Sequence, residues 1–263
     1  MGWRLGLEML DVFLINLDGS DARLAHAKAA LDAAGIGFQR IAAFDGRGKQ
    51  PGQLPMYDEA RALRVFGRML SGGEVGCFLS HLAAARDFLA GEAEFGLVLE
   101  DDLSVAPRAK VALAQIMASD CGSPWWVANL GQPARHWFTP VADLEGGHAL
   151  VRAHYFPVTT TAILWNRAGA AAFVRDARTI EMPVDHWLRR WATQARCGLA
   201  VNPALFPPTE MQSEIDGPSA PKSGRKAGHG LHYGLTKYRR MWANKRRARA
   251  ACAAYVKDRQ RDP

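Results

Sequence analysis

The chain has 263 residues, of which 48% are hydrophobic, enough for a single α/β domain with a sizeable core and appendages. Its formal charge of +7 is unevenly spread: from Lys222 onward 13 Lys/Arg stand against two acids, whereas residues 1–221 hold 20 bases and 24 acids. No apolar run approaches the ~20 residues of a membrane span, and Cys77, Cys121, Cys197 and Cys252 form no Cys-x-x-Cys, which argues against zinc and against a disulfide framework. The opening Met1–Glu8 is too short and interrupted for a signal peptide, and Gly6 breaks the myristoylation pattern. A cytoplasmic setting is the expectation.

In chain order, 11–17 reads as a buried strand and Asp18-Gly19-Ser20-Asp21 as a turn with helix-start chemistry. A helix is predicted over 21–34, stopped at Gly35, and a second strand over 38–44. This β-turn-α-β opening belongs to nucleotide-binding α/β sheets, though no Gly-x-Gly-x-x-Gly supports a dinucleotide. Residues 46–55 read as a loop, 56–69 as a helix, and Ser71 opens a longer helix that closes at Gly91. The run Phe95-Gly96-Leu97-Val98-Leu99-Glu100-Asp101-Asp102 is a strand ending in three acids, a pattern suited to holding a hard divalent cation in a crevice. Further predicted elements are a helix over 106–118, strands over 125–130, 149–156 and 159–165, a helix over 168–177, one beginning at Met182-Pro183-Val184-Asp185, and a strand over 199–206.

Three of these segments resemble glycosyltransferase family 25, the lipopolysaccharide-biosynthesis galactosyltransferase group that includes the collagen galactosyltransferases. They are Val12–Asp18 with Arg23, Ser71–Leu82 with its Gly-Glu-hydrophobic-Gly-Cys…Ser-His helix, and Leu97–Asp102. Thr160-Thr161-Ala162, Pro183–Leu188 and the Pro-rich 203–215 follow in the family's order, so the resemblance spans roughly 10–216. It departs at Gly19, where the family commonly has a basic residue.

The resemblance implies a GT-A-like, nucleotide-sugar-binding α/β/α fold over 10–216, with a mostly parallel central sheet. A linker over 217–230 and a basic amphipathic C-terminal helix over 231–263 complete the chain. It also implies an inverting, metal-dependent transferase that moves a hexose onto a lipid-linked lipooligosaccharide or lipopolysaccharide core. The donor would be UDP-galactose, with UDP-glucose the nearest alternative. Mn²⁺ or Mg²⁺ would bridge the donor phosphates, and carboxylates rather than a Cys/His cluster would hold it. Alternation along an extended segment puts Glu100 and Asp102 on one face, with Asp101 elsewhere. Asp102 is therefore the expected metal ligand, assisted by Glu100 or Asp101. Asn16, Asp18, Arg23, Ser80 and His81 are the further donor-side residues. Asp185, beside His186 and Trp187, is the first candidate for general base and Glu74 the second. Different classes of answer are a non-catalytic saccharide-binding or adhesion protein and a metal-dependent phosphohydrolase.

In the tail, Leu235, Tyr238, Met241, Trp242 and Tyr255 alternate with Lys237, Arg239, Arg240, Lys245, Arg246, Arg247 and Arg249. That pattern suits a helix lying on an anionic membrane surface, at the inner face of the cytoplasmic membrane, rather than one binding nucleic acid.

Overall fold

A computed structural model describes residues 9–209 and 231–259. The predicted linker 217–230 and the segment 210–216 lie outside the described residues.

An eight-stranded sheet forms the frame, in the order β2-β1-β3-β7-β4-β8-β6-β5. Its strands are β1 (Leu10–Asn16), β2 (Gln39–Ala42), β3 (Phe95–Glu100), β4 (Val127–Asn129), β5 (Phe138–Leu144), β6 (His148–Ala153), β7 (Ala162–Asn166) and β8 (Gly198–Asn202). All strands but β6 and β7 run in one direction. The helices are α1 (Asp21–Ala33), α2 (Glu59–Val65), α3 (Gly72–Ala90), α4 (Ala109–Ala118), α5 (Arg167–Asp176), α6 (Val184–Ala195) and α7 (Leu231–Arg259).

Strand alternation divides the core into two layers. Phe13, Ile15, Val98, Ile163 and Trp165 face α3, α5 and α6, where Phe78, Phe88, Phe173, Trp187 and Trp191 pack. Leu14, Leu97, Leu99 and Leu164 face α1 and α4, meeting Leu31, Leu113 and Ile116. Successive residues of each central strand thus serve opposite layers, and this explains their near-continuous apolar runs. The result is the expected α/β/α arrangement.

Three local readings are revised. The predicted helix over 56–69 shrinks to α2, because Met56 O and Asp58 N bond Ile180 on one side and Gly67 takes a positive φ of 93° on the other. The edge strand β5 was not anticipated: Pro140 interrupts its pattern, a residue an edge tolerates. The tail stripe splits between two sides, since Leu235, Tyr238 and Trp242 are exposed, whereas Tyr255 turns inward to His154 (5.3 Å between ring centroids) and Met241 is half-buried.

The start of α3 is fixed by contact between two backbones. A Cβ on Gly72 would sit 1.8 Å from Gly46 O and 3.1 Å from Lys49 O, so only glycine lets the helix meet the loop after β2. Gly72→Ala gains up to about 1 kcal/mol of helix propensity, but relieving that clash costs about 1–3 kcal/mol, so the clash wins. Chemical denaturation should show a lower unfolding midpoint for this variant, and an unchanged or raised midpoint would contradict the close approach.

Candidate functional site

The carboxyl ends of the three parallel strands β2, β1 and β3 open into one cleft, the usual ligand position of an open α/β sheet. Asn16 and Leu17 follow β1, Ala43 to Arg47 follow β2, and Glu100 to Asp102 end β3; Arg23 of α1 and Gly73, Cys77 and Ser80 of α3 close the wall. The cleft spans about 630 Å³ of empty space, a volume that includes open solvent at its mouth.

The three acids have different surroundings. Glu100 Oε1 accepts from His81 Nε2 (2.8 Å), from Thr160 Oγ1 (2.6 Å) and, at 3.8 Å, from Cys77 Sγ. Burial pushes its carboxyl up, but the His81 and Thr160 hydrogen bonds and nearby positive charge outweigh this and hold it below the usual value. Asp101 is equally engaged: Oδ2 accepts from Asn16 Nδ2 (2.7 Å) and Oδ1 from Arg23 Nε (2.8 Å).

Asp102 has no such provision. Its Oδ1 is buried without a hydrogen-bond partner among the described residues, and Oδ2 lies 3.7 Å from Arg23. Burial, then the charge of Glu100, pushes its carboxyl up to about 6. A buried carboxylate oxygen with nothing to bind fits a cation ligand.

One reading of this stretch needs correction. The strand ends at Glu100, so alternation does not govern Asp101 and Asp102, and all three acids line the cleft. Glu100, expected as a second metal ligand, accepts from three donors at Oε1. The view that no Cys/His cluster exists is also revised. Cys77 and His81 stand one turn apart on α3, and Sγ, Nε2 and a Glu100 carboxylate oxygen lie within 4.8 Å of one another. These groups are joined by hydrogen bonds, and burial and then Glu100 push the thiol well above its ordinary value.

The other anticipated residues divide between cleft and scaffold. Asn16 also accepts from Arg40 Nε (3.0 Å), and Arg40 bridges to the exposed Asp18, which does not line the cleft. Ser80 Oγ donates to Gly76 O (2.7 Å) and accepts from Phe44 N (2.9 Å), tying α3 to the cleft loop. Glu74 completes a capping box with Ser71 and is gripped by Arg68 through both oxygens (2.5 and 2.8 Å). Asp185 stands in the first turn of α6, where its Oδ1 accepts from His186 N (2.6 Å). Burial, followed by the charges of Glu100 and Glu74, pushes its carboxyl up to about 6. His186 packs on Phe66 at 5.3 Å, and burial with Arg240 nearby lowers it to about 3. Trp187 is a core residue, stacked on Trp191 at 5.6 Å. Thr160, quoted in the sequence only as part of a motif, gains a contact to Glu100 because β7 lies antiparallel beside β3.

Residues 9–131 match the sequence model of glycosyltransferase family 25 (LPS biosynthesis protein), so the resemblance is borne out over β1, α3 and the acid run. Procollagen galactosyltransferase 1 of Danio rerio is 27% identical over 188 residues, covering 68% of this chain and 30% of that protein. Procollagen galactosyltransferase 2 of Homo sapiens is 30% identical over 155 residues, covering 55% and 24%. The chain thus spans less than a third of the length of either relative. Among solved structures, a glycosyltransferase involved in the glycosylation of the major capsid of PBCV-1 aligns with a TM-score of 0.43 at 11% identity, over 79% of this chain and 95% of that one. S. aureus TarS 1-349 aligns at 0.41 and 14%, over 76% and 60%.

The raised Asp185 has a measurable consequence. An acid at about 6 when folded and 3.8 when unfolded penalises folding above pH 6, and the penalty vanishes as pH falls below 3.8. Asp185→Asn keeps the acceptor for His186 N and removes the charge. It should therefore raise stability at pH 7–8 by roughly 1–2 kcal/mol, with the gain shrinking toward pH 4. Urea midpoints across that range check this, and a variant that loses stability at pH 7 contradicts it.

Proposed function

We propose that the chain is a metal-dependent, inverting glycosyltransferase that moves a hexose from a UDP-sugar, with UDP-galactose first, to a lipid-linked lipooligosaccharide or lipopolysaccharide core. The observation that carries this reading is the unpartnered Asp102 Oδ1 at the mouth of three parallel strands, within the residues that match the family. The two relatives' names specify galactosyltransferases, which favours galactose as the donor sugar.

Asp102 would hold Mn²⁺ or Mg²⁺, which when bound stabilises charge on the departing diphosphate as a Lewis acid. Arg23, bonded to Asp101 and lying 3.7 Å from Asp102, adds fixed positive charge on the same wall. Asn16 and Asp101 hold Arg23 and the acid turn together, and Glu100 anchors that turn to α3 and β7. Asp185 is the proposed base. A carboxyl near 6 is largely ionised around neutral pH and basic enough to take the acceptor hydroxyl proton as the glycosidic bond forms. Glu74, bound to Arg68 and to the start of α3, is less suited to that task. The remaining donor-side candidates, Ser80 and His81, support the cleft through Phe44 and Glu100, and Asp18 does so through Arg40. No helix of the described residues is long and apolar enough to cross a membrane, and the proposed location is peripheral, at the inner leaflet.

Incubation with a panel of UDP-hexoses and core oligosaccharide, with and without Mn²⁺, tests the proposal. Metal-stimulated nucleotide release with hexose transfer is expected. Asp102→Asn should abolish the metal stimulation, and Asp185→Asn should lower kcat by roughly 10²–10⁴ with little change in donor KM. Turnover indifferent to Asp102→Asn would remove the metal role. Release of phosphate without transfer would point to a phosphohydrolase, and donor binding without turnover to a saccharide-binding protein.

A further inference from the structure

The 29-residue helix α7 has one face occupied by the body of the protein and one that is not. On the inner face Asn244, Ala248 and Ala251 are buried. Arg240 lies over the Phe66 ring at 4.4 Å and donates to Phe66 O (3.0 Å). Tyr255 packs on His154 at 5.3 Å.

On the outer face Leu235, Tyr238 and Trp242 are 65%, 64% and 69% exposed, the largest apolar exposures among the described residues. Steps of three and four place them on one line of the helix, and further steps of four and three continue that line to Arg246 and Arg249. Lys237, Arg239 and Arg247 are exposed alongside. Over the whole helix nine Lys/Arg face one acid, Asp258. A hydrophobic ridge that runs into a basic line is therefore held rigidly outward by the packing of the opposite face.

We propose that this outer line is a docking surface for an anionic lipid bilayer. Leu235, Tyr238 and Trp242 enter the boundary between headgroups and acyl chains, where amphipathic rings settle, and Arg239, Arg246 and Arg249 meet lipid phosphates. The charge of the rim selects the occupant. A second copy would bring the same cations against these ones, and single-stranded nucleic acid stacks its bases in a groove, whereas this ridge is convex. The inference deepens the proposed function and rests on it for orientation only. The inner face of α7 meets Phe66, which packs on His186 beside Asp185, so the helix that carries the outer line is joined to the layer that carries the proposed base.

Removing α7 would expose the body's own packing surface, so substitutions confined to the outer line are the cleaner probe. The full chain is floated with vesicles of phosphatidylglycerol and phosphatidylethanolamine and, separately, of phosphatidylcholine alone. The expected result is binding at least about tenfold tighter to the anionic vesicles and weakened by salt. Leu235→Ser/Tyr238→Ser/Trp242→Ser should lose at least about tenfold, and Arg246→Gln/Arg249→Gln should flatten the salt dependence, both with unchanged thermal melts. The proposal is overturned if the wild type ignores anionic vesicles, if neutral vesicles bind equally well, or if the triple variant binds like the wild type. It is likewise overturned if an oligonucleotide binds more tightly than the vesicles, or if the triple variant's only change is loss of self-association. Nucleotide release with a soluble acceptor, measured without vesicles, should be the same in the wild type and the triple variant. Absent turnover with intact vesicle binding would defeat the proposed transferase and leave the docking surface standing, and the converse result would do the reverse.

Discussion

Three consecutive carboxylates cannot stand side by side in a half-buried turn without counter-charge. Two like charges ~5 Å apart at an effective dielectric of ~20 repel by about 3 kcal/mol, and three neighbours multiply that cost. The chain meets the constraint unevenly. Glu100 is given His81 and Thr160, Asp101 is given Arg23 and Asn16, and Asp102 is left with one distant guanidinium. Two acids thereby have hydrogen-bonding partners at close range and the third does not, and the metal role proposed for Asp102 rests on that division.

The partners of the acids come from four different elements, which explains why so much of the fold is organised around a six-residue strand. Asn16 ends β1, Arg23 belongs to α1, His81 to α3, and Thr160 to the approach to β7. Each can reach its carboxylate only if the strand register is correct, and the parallel pairing of Ile15 with Glu100 sets it for β1. The α3 helix carries the greatest demand, since it must present His81 to Glu100 and Ser80 to the cleft loop together. Its capping box and the glycine contact at Gly46 and Gly72 hold its first turn against that loop.

What could be read from the sequence followed from how local each signal was. The Ser71 cap with Glu74 three residues later announced α3, and the apolar runs of β1 and β3 announced a buried parallel sheet. Asp102 stood out in the sequence because strand, acid run and family resemblance converge on it, and its metal role is a proposal. The partners of Glu100 did not stand out, since the Thr160 contact depends on β7 running antiparallel beside β3 across some sixty residues of chain. Cys77 and His81 are one helical turn apart, yet only the fold brings Glu100 to them. The strand β5 had a readable sign in Gly146-Gly147, a hairpin signal whose weight was lost because Pro140 interrupts the strand before it. Trp187 and Trp191 sit in a helix of plainly amphipathic pattern, and the structure gives them to the core.

The unpaired acids set a cost that the rest of the α6 layer must offset. Asp102 and Asp185 are both pushed up to about 6 by burial, so keeping either ionised opposes folding. The helix that bears Asp185 is held by Trp187 and Trp191, which stack on each other and reach Phe78, Phe173, Trp165 and Trp126. Aromatic pairs of this kind contribute about 0.5–1.5 kcal/mol each beyond the area they bury. A second brace comes from outside the sheet layers. Arg68 and Arg240 both lie over the Phe66 ring, and His186 packs on that ring as a neutral imidazole. Two guanidiniums near one ring repel each other, and Glu74, bonded to Arg68 through both oxygens, offsets one of them. Glu74 thus stands as a counter-charge beside the point where Arg240 of α7 meets Phe66, and Phe66 in turn packs on His186, the neighbour of Asp185 on α6.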